Sequence, residues 1–311
     1  MSLNPDMIFT AVEIRNQDGA IGTGFLMSVK SETTPNRWPY VITAEHVVRG
    51  ETDITVAAPD PNRSGELYDP EPINDWQQPI PGLDLAVSPW PFKPGLPYKS
   101  VDMEHNLYPL SEERISMLGA PVHYIGLFAP ARRMMARGGT FGAIDAKGIS
   151  HHQGFGYDYD CHLIDCRSYG GFSGSPCFVE LVLIEGVNDA QLNERGIIGL
   201  PKYRALMCGM FTEHYDDSDD EEANPDGAIS RYGVGVMVRG EDIKKALLSD
   251  SMKQDRLDRE AALVRNPPKA PPTPKVAKTK DASEFETFKS FARDLIQTPK
   301  SDIDEVHRGH Q

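Results

Sequence analysis

The sequence predicts an all-β fold, a sandwich or a pair of barrels. Its apolar runs are short: Phe9–Ile14, Gly24–Val29, Tyr40–Thr43, Leu85–Val87, Val122–Leu127, Leu163–Cys166, Ala205–Phe211 and Gly233–Val238. Gly, Pro, Asn and Asp bound them at irregular spacing, the pattern of strands joined by turns, and no βαβ alternation is visible. The 311 residues, 39% hydrophobic and 25% charged, have the make-up of an ordinary globular chain with a sizeable core.

Helical signals come late. Arg239–Leu248 reads as a short helix with Ile243, Ala246 and Leu247 on one face. From residue 251 the chain is charged and then rich in Pro, Lys and Ala, a composition expected to form a flexible linker. A capping box at Ser283–Glu286 opens an amphipathic helix carrying Phe285, Phe288, Phe291, Ala292 and Leu295, which Thr298-Pro299 ends. That helix either docks on the same chain or serves as a partner-binding or self-inhibiting element. The run Glu213–Asp226 reads as a solvated acidic loop, since it lacks the ligand spacing of a calcium loop.

Charge and cysteine content narrow the function. A net charge of -14 argues against nucleic-acid binding, which needs clustered Lys and Arg. No basic start followed by an apolar stretch and no run of about 18 apolar residues occurs, so neither a signal peptide nor a membrane partner is expected, and the expected location is cytoplasmic. Cys161, Cys166, Cys177 and Cys208 have no zinc-site spacing and are read as reduced, mostly buried thiols; His151-His152 is read as a surface pair. No metal and no cofactor is expected.

The stretch Gly170–Phe178, GGFSGSPCF, crowds small residues around two serines. Such glycines suit a plain turn, and equally an exposed nucleophile beside an oxyanion hole. A base and an acid separate the two readings. His46 follows the apolar run of YVITAEHVV where a strand opens into a turn, and Asp84 precedes the apolar run of GLDLAV. A lone histidine is usually structural, and an Asp so flanked is either a cap or a buried carboxylate that orients a partner.

His46, Asp84 and Ser173, in that chain order and at strand ends, resemble the catalytic set of the chymotrypsin-like (trypsin-fold) serine peptidases. GTGFL at Gly22–Leu26 followed by VITAEHVV is similar to the family's G-x-G-F strand and its S/T-A-x-H motif. DLAV is similar to D-I/L-A-V/L, and GFSGSP to G-x-S-G-G/S-P, with Ser175 where many members have glycine. LGAPVHYIG resembles the strand entering the second barrel, CGMF at Cys208–Phe211 the strand lining the cleft, and YGVGVMVRGEDIKKAL the closing strand and helix of bacterial HtrA-type members. The resemblance spans residues 8–250 and leaves the tail unmatched.

The resemblance implies two six-stranded antiparallel β-barrels, over residues 1–103 and 104–250, to which the composition adds a linker and helical tail over 251–311. It implies a serine endopeptidase in which Ser173 attacks, His46 is the base, Asp84 orients it, and the N–H groups of Gly171 and Ser173 form the oxyanion hole. A polypeptide would be the substrate, lying along Phe211, Thr212 and Glu213. Arg167, six residues before Ser173, falls at the family's pocket base and either favours an acidic side chain or points to solvent. A latent or inactive peptide-binding module, controlled by the tail or a partner, is the alternative, and an esterase with the same triad stays open. The cysteines do not match the disulfide positions of secreted members.

Overall fold

The computed structural model describes residues 5–60, 66–91, 99–108, 118–128, 133–150, 158–166, 170–184, 201–214 and 233–265. All of them belong to one compact unit, Met1–Asn266. The proline-rich stretch, the terminal helix and any partner for it lie outside the described residues.

The first half forms a seven-stranded sheet: β1 (Ala11–Asn16), β2 (Gly19–Lys30), β3 (Arg37–Thr43), β4 (Thr55–Ala57), β5 (Glu71–Pro72), β6 (Ala86–Pro89) and β7 (Val101–Asp102). Its order is β5-β4-β1-β2-β3-β6, with β7 added parallel to β2. The register sets Thr43 of β3 opposite both Gly24 of β2 and Ala86 of β6. The segment just after β3 and the segment just before β6 therefore emerge side by side, and these carry His46 and Asp84.

The second half closes. β8 (Pro121–Phe128), β9 (Arg133–Ser150), β10 (Asp158–Asp165), β11 (Ser175–Ile184), β12 (Pro201–His214) and β13 (Val234–Arg239) form a barrel in the order β10-β13-β12-β11-β8-β9. Its core holds Val122, Phe141, Ile164, Met237 and an aromatic group in which Tyr124 stacks on Phe211 at 5.3 Å and meets Phe172 edge-on at 5.4 Å. The fold is trypsin-like, with one difference from the expected pair: among the described residues the first sheet curls without closing.

Short helices punctuate the chain: α1 (Pro5–Ile8), α2 (Glu45–Val48), α3 (Met103–Asn106), α4 (Gly240–Leu247) and α5 (Asp250–Arg265). The helix read at Arg239–Leu248 is α4. The linker expected from residue 251 is, as far as Arg265, the helix α5. Its inward positions are Met252, Arg256 and Glu260, spaced by four, so its buried face is mostly charged and an apolar stripe is missing.

Polar partners on the first sheet hold that face. Glu260 accepts hydrogen bonds from the hydroxyls of Ser31 and Thr33 and from Trp38 Nε1, the last at 3.0 Å. Arg256 donates to the Leu247 carbonyl at 2.7 Å, capping α4, and Arg259 lies over the Trp38 ring at 4.6 Å. Tyr40 donates to Asp255 at 2.8 Å. This cover explains why Tyr40, Val41, Ile42 and Thr43 are all fully buried although their side chains alternate between the two faces of β3.

Candidate active site

His46 and Asp84 meet as the register requires. β3 ends at Thr43, Ala44 stays extended, and a single helical turn begins at Glu45, sinking Val47 and Val48 into the core and leaving His46 at the surface of the sheet end. Asp84 Oδ2 lies 2.8 Å from His46 Nδ1, and Asp84 Oδ1 accepts the His46 backbone N–H at 3.0 Å. The Asp84 side chain is 2% exposed and that of His46 11%. A carboxylate this buried needs a donor on each oxygen, and it has both. The contact holds Nδ1 as the protonated nitrogen and leaves Nε2 as the basic one.

The serine turn is pressed against the same sheet end. Thr23 of β2 donates its N–H to the Ser173 carbonyl at 3.0 Å, and its carbonyl accepts from Thr43 Oγ1 at 2.6 Å. Gly174 sits on these groups: a Cβ there would lie 1.9 Å from the Thr23 carbonyl oxygen and 2.5 Å from Thr43 Oγ1, at a φ of +88°. Only glycine allows that approach. Gly171, at φ +97°, is the other left-handed residue of the turn.

The turn's carbonyls are tied back. Gly171 accepts from Thr23 Oγ1 at 2.6 Å, Phe172 from the Ser175 N–H at 2.9 Å, and Ser173 from the Thr23 N–H. Among the described residues no acceptor takes the N–H of Gly171 or of Ser173. Phe172 is fully buried and anchors the turn, while Ser173 is half-buried. Ser175, where many relatives in the resemblance carry glycine, has a fully buried hydroxyl with no hydrogen-bond partner among the described residues.

The cleft residues divide. Arg167 and His151-His152 lie outside the described residues, as does most of the acidic run after Glu213. Phe211, expected with Thr212 and Glu213 to line the path of the substrate backbone, has its ring in the barrel core, 1% exposed and stacked on Tyr124. Its carbonyl accepts the Gly174 N–H at 2.8 Å. Thr212 is fully buried, donating to the Val236 carbonyl at 3.2 Å, and Tyr159 Oη lies 3.3 Å from Thr212 Oγ1. Burial, and then the charges of Asp84 and Glu213, push the Tyr159 phenol well above its ordinary pKa. The pairing of β11 with β12 stops at Ser175 opposite Phe211, whereas β12 continues to His214. Thr212–His214 thus run on past the end of that ladder, next to the serine turn.

Sequence reasoning missed Thr23, whose four bonds join the serine turn to the first sheet and to β8 of the barrel. The signal was present in the quoted GTGFL, but nothing in a sequence marks a threonine as a junction. The four thiols are free and buried; burial pushes Cys166 up to about 11 and Cys161 up to about 12, which makes them poor nucleophiles. Among the described residues one group gathers metal-ligand atoms, Asp102, Glu104 and His105, and Arg37 already pairs with Asp102 at 2.9 Å and Glu104 at 2.6 Å. No described helix is long and apolar enough to cross a membrane.

Solved structures with a related architecture include the protease domain of MamO from Magnetospirillum magneticum, with 16% identity, 77% of this chain and 96% of that one covered, and a TM-score of 0.48. The active form of the Rv3671c protease from M. tuberculosis gives 18% identity, 78% and 81% coverage and a TM-score of 0.48. Human heparin binding protein gives 14%, 88%, 98% and 0.45. No protein of curated function matches the chain in sequence. These likenesses are remote, and the assignment rests on sequence instead. The family described as the trypsin-like peptidase domain matches residues 22–181, more than half of the chain, from the start of the GTGFL strand through the serine turn. This chain belongs to the trypsin-like peptidase domain family.

Proposed function

We propose that the protein is a serine endopeptidase working through an acyl-enzyme, with Ser173 as nucleophile, His46 as general base and acid, and Asp84 as the group that orients and stabilises the imidazolium. The observation that carries this reading is the buried Asp84–His46 pair, 2.8 Å long, standing at the sheet end where Thr23 also holds the Ser173 turn. His46 Nε2 takes the Ser173 proton as Oγ adds to the scissile carbonyl. The N–H groups of Gly171 and Ser173 meet the developing oxyanion, and the proton passes to the leaving amine as the C–N bond breaks. Water then repeats the sequence on the acyl group and frees Ser173.

An extended polypeptide is the substrate in this reading, adding as a strand along Thr212–His214 where the β11 ladder has ended. By the resemblance, Arg167, which lies outside the described residues, would favour an acidic side chain before the cut. Four reduced thiols suit a reducing compartment and support a cytoplasmic location.

The test is labelling of the full chain by a fluorophosphonate, with Ser173→Ala and His46→Ala beside it. Labelling of the wild type that vanishes in both variants is the expected result. A wild-type chain that does not label, or labelling that survives Ser173→Ala, would overturn the assignment. Cleavage of a peptide library against a simple ester then separates endopeptidase from esterase.

A further inference from the structure

We propose that Thr23 is a positioning residue for the oxyanion turn: its hydroxyl, supplied by the first sheet, holds the Gly171–Ser173 turn of the second barrel in the shape that catalysis requires. The inference rests on the reading of Ser173 as the nucleophile.

Every polar group of Thr23 is committed. Its Oγ1 donates to the Gly171 carbonyl at 2.6 Å and accepts the Leu127 N–H of β8 at 2.7 Å. Its N–H and carbonyl engage Ser173 at 3.0 Å and Thr43 at 2.6 Å. Thr23 is fully buried, so water cannot stand in for any of these partners. One hydroxyl proton serves one carbonyl, and the Leu127 N–H orients the oxygen so that this proton points at Gly171.

The bond lands where the backbone is most able to turn over. Gly171 has no Cβ and a φ of +97°, so its peptide planes face little steric resistance to rotation. The Phe172 carbonyl is fixed within the turn by the Ser175 N–H, which aims the Ser173 N–H away from it. Within the turn no such bond restrains the Gly171 carbonyl; its partner is Thr23, from the other half of the molecule. Rotating the peptide after Gly171 would break that bond, swing the Phe172 N–H round with it, and release the turn whose flanking peptides carry the Gly171 and Ser173 N–H groups. Thr23 also touches Thr43 on the strand that leads to His46, so one side chain references the nucleophile's turn to the strand carrying the base.

The experiment compares wild type, Thr23→Val and Thr23→Ser in the full-length chain. It reads the second-order rate of fluorophosphonate labelling, its pH profile, the thermal midpoint, and amide hydrogen exchange of the peptide spanning 170–175. Thr23→Val is expected to slow labelling by about 100-fold, the scale of losing one oxyanion donor. It should quicken exchange in the turn and leave the midpoint of the pH profile in place, because the Asp84–His46 pair is untouched. Thr23→Ser should restore the rate to within a few-fold. Labelling of Thr23→Val at the wild-type rate with unchanged exchange would overturn the inference, as would a Thr23→Ser protein as slow as Thr23→Val at equal stability. If the wild type does not label, the Ser173 reading fails by itself; exchange in the turn, faster in Thr23→Val and restored in Thr23→Ser or else unchanged, still decides whether Thr23 holds it.

Discussion

Among the ties between the second half of the molecule and the first, two are built from opposite materials. At the cleft, Thr23 joins the serine turn to the first sheet through neutral hydrogen bonds between backbone and hydroxyl groups. On the outer face, α5 is held to β3 and the turn before it by charged groups, Glu260 on Ser31, Thr33 and Trp38, and Arg259 over Trp38. A neutral network keeps its geometry across pH, whereas a buried carboxylate makes its contribution only while ionised. The serine turn therefore sits on the pH-insensitive tie, and the outer helix on the sensitive one.

The largest effect expected is chemical. Ser173→Ala or His46→Ala should abolish detectable labelling, a loss on the order of a million-fold, and Asp84→Asn should cost about 10,000-fold while the fold persists. Thermal midpoints close to wild type would confine these effects to the cleft.

Next comes loss of the outer tie. A chain ending at residue 250 strips α5 from Trp38 and Tyr40, so it should unfold at markedly lower temperature and with less cooperativity. This reverses the expectation that a linker begins at 251, and a truncation as stable as the full chain would restore it. The single change Glu260→Ala leaves three donors facing an empty space and should cost about 3 kcal/mol, read as a lower denaturant midpoint.

Glu260 also predicts a pH dependence. Burial alone would raise its pKa, but hydrogen bonds from Ser31, Thr33 and Trp38, helped by Arg256, outweigh that and hold it below the usual carboxylate range. A depressed folded-state pKa contributes stability above the unfolded value of about 4.3, and that contribution is lost as pH falls through the folded pKa. Stability measured from pH 7 to 3 should therefore fall less steeply in Glu260→Gln than in wild type. Parallel curves would remove Glu260 as the sensitive group.

The smallest effect concerns Ser175. Its buried hydroxyl has no partner among the described residues, so Ser175→Ala should leave the thermal midpoint unchanged or raise it, by up to about 1 kcal/mol of stability. A clear loss would mean that the hydroxyl is hydrogen-bonded to an internal water.

Legibility in the sequence followed the kind of signal each region carries. The strands of the first sheet were readable because YVIT and DLAV are compact apolar runs, and the pair His46 and Asp84 because each sits at a strand end. The same logic failed at α5. Its inward residues Met252, Arg256 and Glu260 look like a solvated face, and no periodicity of hydrophobicity exists to read. The Phe211 ring had no local signal either: that it packs on Tyr124 across the barrel is a tertiary contact.

By itself the sequence determined the all-β class, the strand-end positions of His46 and Asp84, and the glycine-rich turn around Ser173, because these depend on local pattern and on residue types with narrow conformational uses. Only the tertiary structure decided that the first sheet stays open among the described residues, that a charged segment docks as a helix, and that Thr23 is the junction. Those outcomes depend on partners 148 and 222 residues away along the chain, as in Thr23 with Gly171 and Trp38 with Glu260, and such contacts exist only after the strands have set their register.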